Sequence, residues 1–353
     1  MMDERADRQM SFSSIVGHDR PVTILKRALS NNALAHAYLF SGGDGIGKKM
    51  TAFALAAAVN CGNRGPEGGC GECPSCRRVA ALTHPDVHVV MPESENEQLL
   101  ATWSSKAVEK ASDEIKIDQI RQAQESLTLT PSEGSKKILI VDGAETLNPS
   151  AQNAFLKTLE EPPGDALIVL VTSIPQSLLP TIRSRCQEIR FQPLPRKILA
   201  QALMKRRGLP EGDAWFLAAL AQGSLGRGLD MNVEHEKAER EEIAALWTGL
   251  PRLTAGEVLA LAEGYAKDRE RFDRMLTIGA ECLRDALVYR ETGEDRLLVQ
   301  GGAGARYRQW AEQFPSQRML ADFELFSASR NLLDHRVSAQ LVAEVLLFRL
   351  GRG

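Results

Sequence analysis

The chain has 353 residues, 43% of them hydrophobic and 25% charged, an ordinary globular composition with length for two or three domains. Its 43 Lys+Arg against 46 Asp+Glu leave a net charge of −3, without the basic excess expected of a protein that holds DNA alone. No apolar run approaches the roughly 20 residues of a membrane span, and the opening MMDERADRQMSFSS has no apolar core to serve as a signal peptide, so a soluble cytoplasmic chain is expected.

In chain order, the first half alternates short apolar strands with helical patterns. Strands are expected at 35–42 (AHAYLFSG), 86–92 (DVHVVMP), 137–143 (KILIVDG), 166–172 (ALIVLVT) and 187–193 (QEIRFQP), with helices near 19–31, 48–60, 117–128, 149–161 and 176–183. Such alternation predicts an α/β fold, a parallel sheet with helices on both faces. The helix at 149–161 is well punctuated: Asn148 can cap it, Pro149 suits its first turn, Pro162-Pro163 stop it, and Ala151, Ala154, Phe155 and Leu159 form its core stripe. The charged segment 91–116 reads as a surface loop. After Pro193-Leu194-Pro195 only helical patterns follow, a short block over about 196–245 and a longer one over 252–353. In the last stretch, VSAQLVAEVLLFRL, the spacing places Val337, Leu341, Val345 and Leu346 along one helical face.

Residues 42–51, GGDGIGKKMT, follow one strand and open the next helix, the setting of a P-loop. Gly42, Gly45 and Gly47 would let backbone N–H groups surround phosphate oxygens, and Lys48 would reach the outer phosphates. The next residue is Lys49, where Ser or Thr would bind Mg²⁺; Thr51 lies two positions on and faces elsewhere. A glycine-rich turn without a ligand is the plain alternative. The strand KILIVDGAE ends on Asp142, the carboxylate such sites use toward the metal, but Gly143 stands where the water-polarising Glu would be, and Glu145 comes too late. Both defects predict little or no intrinsic hydrolysis.

Four of the six cysteines crowd into CGNRGPEGGCGECPSC. Cys61, Cys70, Cys73 and Cys76 have the spacing C-x8-C-x2-C-x2-C, which favours a closed structural Zn²⁺ site over free thiols or an iron–sulfur cluster. His84 and His88 follow nearby, and His88, alternating within a strand, reads as structural. TIRSRCQEIRF puts Arg185 in a turn before the last strand, where it could act as an arginine finger toward a neighbouring subunit or be a solvated arginine, and GSLGRGLD offers Arg227 on equally thin grounds.

Together these stretches resemble the AAA+ clamp-loader family of bacterial DNA polymerase III, its delta-prime type above all. The resemblance spans about residues 12–350 and is carried by FSSIVGHDRPVTILKRAL, LAHAYLFSGGDGIGKK, CGECPSC, HPDVHVV, NAFLKTLEEPP and LLPTIRSRCQEIRFQPL, with RNLLDHRVSAQLVAEVLLFRL a looser match. It implies a RecA-like AAA+ domain with a Cys₄ zinc insertion (1–193), a small helical lid (194–248) and an all-α collar for oligomerisation (249–353). It further implies a pentamer with gamma/tau ATPases and a delta subunit that loads the sliding clamp on primed DNA, contacts with clamp and DNA being made through the complex. In this setting Ser184-Arg185-Cys186 matches the motif whose arginine is offered in trans, and Arg227 the sensor arginine. Lys49 and Gly143 depart from the hydrolysing gamma/tau type and leave open whether ATP or ADP is bound. The chain would then belong to a polymerase holoenzyme without carrying a polymerase site. The competing readings are an active gamma/tau-type ATPase, a P-loop nucleotide kinase with a zinc lid, and a stand-alone zinc DNA-binding module.

Overall fold

The computed structural model describes residues 10–94, 112–299, 304–335 and 337–352. Most of the expected loop at 91–116 lies outside the described residues. The chain divides into two compact units: one runs to Ala202 and includes Gln222–Arg227, and the other comprises Leu203–Ala221 and Gly228–Gly353.

In the first unit the elements alternate as α1 (Asp19–Ser30), β1 (Ala37–Ser41), α2 (Lys48–Asn60), α3 (Pro74–Ala80), β2 (Val87–Val90), α4 (Ile117–Thr128), β3 (Ile138–Asp142), α5 (Pro149–Glu160), β4 (Leu167–Thr172), α6 (Pro180–Arg183) and β5 (Gln187–Arg190). The five strands form one parallel sheet of order β2-β3-β4-β1-β5. The three central strands AYLFS, ILIVD and LIVLVT are buried along their whole length, as a sheet covered on both faces requires. The edge strands VHVV and QEIR are only partly buried.

Side chains alternate between the two faces. Tyr38, Phe40, Ile138, Ile140 and Val169 pack with Leu25, Leu55 and Val79 of α1, α2 and α3. Leu39, Leu139, Val141, Ile168 and Leu170 pack with Ile120, Phe155 and Ile182 of α4, α5 and α6. Helix α5 starts as its sequence directs, with Asn148 Oδ1 accepting from Ala151 N at 2.8 Å. The expected helix at 176–183 is instead a 3₁₀ turn, Pro175–Ser177, followed by the single turn α6, since Pro180 supplies no N–H to a continuous helix.

The rest is helical: α7 (Arg196–Arg207), α8 (Glu211–Leu220), α9 (Leu225–Asp230), α10 (Val233–Gly249), α11 (Ala255–Lys267), α12 (Arg269–Thr292), α13 (Gly304–Gln313), α14 (Ser316–Asp334) and α15 (Ala339–Gly351). The parallel α/β sheet followed by helices meets the sequence expectation. The second unit has its own core, in which Trp247 lies against Trp310 and Phe314 with ring centroids 4.7 and 4.6 Å away. None of the described helices is long and apolar enough to cross a membrane.

The last helix turns a different face inward from the one its widest apolar spacing marks. Leu346 is buried, but Val337, Leu341 and Val345 are exposed; α15 buries Val342, Ala343, Leu346, Leu347 and Leu350 instead. The helix is apolar on more than one side, so periodicity alone could not choose its inner face.

Candidate functional site

The sheet order puts β4 between β1 and β3, so the loop after β1 and the carboxylate ending β3 open on the same rim of the sheet. Gly42, Gly45 and Gly47 all have positive φ, +146°, +67° and +113°. At Gly42 a side chain is also sterically excluded, since a Cβ would stand 2.5 Å from the Phe191 carbonyl oxygen, and the Gly45 carbonyl accepts from Gly226 N at 2.9 Å. His18, which the sequence reading passed over, braces the loop from beneath. Its Nε2 donates to the Ile46 carbonyl at 2.5 Å, its ring meets Phe191 edge-on, and burial pulls its pKa down. Its only sequence signal was its place in FSSIVGHD, just ahead of α1.

Lys48 is buried, and its Nζ donates to the carbonyls of Gly42 and Gly43, both at 2.6 Å. Burial pulls its pKa down, with Asp44, Glu145 and Asp142 acting the other way. Lys49 reaches past β4 to the end of β3, where its Nζ lies 2.7 Å from Asp142 Oδ2. An ammonium therefore occupies the coordination space of the carboxylate that a metal would use. Thr51 cannot substitute, because its hydroxyl is buried and donates to the Gly47 carbonyl at 2.9 Å. Gly143 is left-handed, φ +69°. Glu145 turns to the end of β4, where Oε1 accepts from Ser173 N at 3.0 Å and from the Ser173 hydroxyl. Burial would raise its carboxyl, yet the Ser173 bonds hold it below its ordinary range. Its other oxygen, Oε2, is buried without a hydrogen-bond partner among the described residues. Arg227 is exposed near the start of α9.

The sulfur atoms of Cys61, Cys70, Cys73 and Cys76 all lie within 4.8 Å of one another, with Cys61 and Cys73 at 3.9 Å. A tetrahedron with Zn–S bonds of about 2.3 Å has edges of about 3.8 Å, so the donors are spaced to accept such an ion with little movement. Backbone N–H groups of Asn63, Cys70, Cys73 and Cys76 point at the sulfurs of Cys61, Cys61, Cys70 and Cys73, each at 3.4 Å, while burial pushes the thiols of Cys61 and Cys76 up in the absence of a cation. The backbone of Glu72 and Cys73 holds the Cys70 thiol down to about 6. Helix α3, unforeseen in the sequence, begins inside this cluster with Cys73 as its N-cap and Pro74 at its first position. The cluster can therefore bind a metal.

Neither His84 nor His88 belongs to the sulfur cluster. His84 Nδ1 accepts from Asp86 N at 3.0 Å, so the neutral ring carries its proton on Nε2 and donates it to Ser75 Oγ at 3.0 Å. His88 lies in β2, with its pKa lowered by burial.

Arg185 lies in the turn between α6 and β5, about one third exposed. Its Nη1 donates to the Thr181 carbonyl at 2.9 Å and its Nη2 to Glu160 Oε1 at 2.6 Å. Next to it, burial pushes the Cys186 thiol up to about 12, which leaves it unreactive.

Residues 17–195 match the family model described as DNA polymerase III, delta subunit. The delta′ subunit of Pseudomonas aeruginosa is 36% identical over 233 residues, 65% of this chain and 66% of that protein, and the delta′ subunit of Bacillus subtilis is 29% identical over 95% of this chain and 96% of its own length. The chain belongs to the delta-prime family of DNA polymerase III clamp-loader subunits. The tau subunit of Bacillus subtilis is also similar, 25% identical over 98% of this chain and 62% of its own length. Among solved structures, a gamma subunit-related protein of Thermotoga maritima aligns over 94% of this chain and 99% of its own, at 19% identity and a TM-score of 0.38. The RuvB Holliday junction branch migration motor of the same organism aligns over 67% of this chain and 66% of its own, at 14% identity and a TM-score of 0.43.

Proposed function

We propose that this chain is the non-hydrolysing member of an AAA+ clamp-loader ring, joined to gamma/tau and delta subunits, and that Arg185 serves a neighbouring ATPase site in trans. Through the complex it would help load the sliding clamp on primed DNA. Residues 1–193 would be the ATPase-like domain, 194–248 the lid and 249–353 the collar. The observation that carries the reading is the 2.7 Å contact of Lys49 Nζ with Asp142 Oδ2. A cation fixed on that carboxylate disfavours a catalytic Mg²⁺, and Mg²⁺ carries much of the charge stabilisation in phosphoryl transfer. Gly42, Gly45, Gly47, Lys48, Asp142 and Arg227 would then be a nucleotide site kept without its chemistry, and Arg185 the contribution this chain makes to catalysis.

The purified chain is expected to show no ATP turnover above background in Mg²⁺, alone or with DNA. Turnover that survives further purification and is lost in Lys48→Ala would return the gamma/tau-type reading.

Cys61, Cys70, Cys73 and Cys76 would hold one structural Zn²⁺, whose four thiolates leave no open position for catalysis. Metal analysis should find about one zinc per chain by this count, and Cys76→Ser should lower both zinc content and thermal stability. A wild-type chain purified without chelator and free of zinc would remove the assignment.

A further inference from the structure

A P-loop site implies a Mg²⁺ ion beside the phosphates, held by a hydroxyl at the position of Lys49 and, through water, by the carboxylate at Asp142. The residues present do not fit that ion. Lys49 carries no acceptor, its ammonium sits 2.7 Å from Asp142 Oδ2, and the Thr51 hydroxyl is committed to Gly47. A divalent cation would have to displace one positive charge and then remain beside it.

The site nevertheless keeps an appetite for negative charge. Lys48 is 6% exposed and lies on two carbonyl oxygens, and its only ion-pair contact among the described residues is Asp44 Oδ1, 3.9 Å away on a largely exposed side chain. A buried ammonium without a contacting anion is unfavourable, and an incoming phosphate relieves it. The left-handed Gly45 and Gly47 lead into the N-terminus of α2, adding backbone N–H groups of the kind that hold phosphate oxygens.

We propose that the loop takes a nucleoside diphosphate or triphosphate free of metal, with the Lys49 ammonium, anchored on Asp142, standing in for Mg²⁺. The inference rests on the nucleotide-site reading above and specifies the form of its ligand. Lys48 would exchange the Gly42 and Gly43 carbonyls for an outer phosphate oxygen, while Lys49 bridges Asp142 and the phosphates. An ammonium neutralises phosphate charge but coordinates no water, so the nucleotide stays intact.

The test is titration of the full chain with a fluorescent ADP analogue, in EDTA and in excess Mg²⁺. The wild-type dissociation constants are expected to agree within about twofold. Lys49→Met should weaken binding in EDTA by about tenfold or more, the scale of a lost charge-assisted contact, without rescue by Mg²⁺. Lys49→Ser should weaken it in EDTA and recover in Mg²⁺, because the hydroxyl returns. Absence of wild-type binding, a wild-type affinity raised about tenfold by Mg²⁺, or Lys49→Met binding like wild type would each overturn the proposal. The wild-type comparison needs no variant to fold. The Arg185 reading is measured on a partner's ATPase in the assembled complex, so it can stand or fall separately.

Discussion

Arg185→Ala is expected to lower the ATPase rate of the reconstituted complex by about 10³-fold, the scale of a lost arginine finger, while the complex still assembles. The guanidinium lies on the surface, and its partners are a half-exposed Glu160 carboxylate and the Thr181 carbonyl. Surface ion pairs contribute about 0–1 kcal/mol, so the folded state loses little with it. What is lost is a planar, permanently charged group that can stabilise charge developing on a phosphate in another subunit. Arg185→Lys should recover only a small part of the rate, because a point charge does not reproduce the two-pronged contact. Steady-state ATPase at saturating clamp and primed DNA, beside gel filtration of the complex, reads both quantities. An unaltered rate in a complex shown to contain the variant would end the proposed role.

The second large effect is structural. Asp86→Ala should destabilise the first unit by about 3–5 kcal/mol, the cost of breaking a buried ion pair by removing one partner. The Asp86 carboxylate is wholly buried. It accepts from the backbone N–H groups of Ser132, Glu133 and Gly134 at 2.7, 2.8 and 2.7 Å, and it faces the buried ammonium of Lys137 at 2.8 Å. Removing it strands one cation and three donors together, and loosens the segment leading into β3 from the one leading into β2. Urea unfolding followed by far-UV circular dichroism measures the loss; a midpoint shift below about 1 kcal/mol would contradict the account.

The pH dependence follows with a definite sign. Burial alone would raise the Asp86 carboxyl, but Lys137 and the three N–H groups hold it well below the carboxylate range. A depressed folded pKa means the stabilisation is complete above the unfolded value of about 3.9 and is lost as pH falls through the folded one. The wild-type chain should therefore lose stability below about pH 4, and the difference between wild type and Asp86→Ala should shrink there.

Much of this was written in the sequence at short range. Asn148-Pro149 started α5 where it stands, and the apolar runs of β1, β3 and β4 gave a parallel sheet because both faces of each strand had to be covered. The four cysteines were legible from their spacing, and their sulfurs do converge. The contacts that decide the chemistry were not legible. That Lys49 could not ligate a cation followed from its type, but its capture by Asp142, across two strands of the sheet, depends on tertiary placement. Glu145 was expected to be out of play, and its tie to Ser173 of the β4 rim needed the strand order. Helix α3 was hidden because its short apolar content looked like the loop of a metal site. The inner face of α15 was not legible, because the exposed Leu341 and Val345 are as apolar as the residues that are buried.

The left-handed backbone of Gly143 bears on how such a subunit could change course. A glutamate installed there would meet no hard obstacle, the nearest atom being Pro92 Cδ at 3.6 Å, but it would have to hold φ near +69°, at about 1–2 kcal/mol. Exchanging Lys49 for a hydroxyl would readmit a metal beside Asp142 but would still leave no carboxylate to polarise the attacking water. Each step toward hydrolysis is thus unrewarded without the other, so no single substitution at Lys49 or Gly143 would make this site an ATPase.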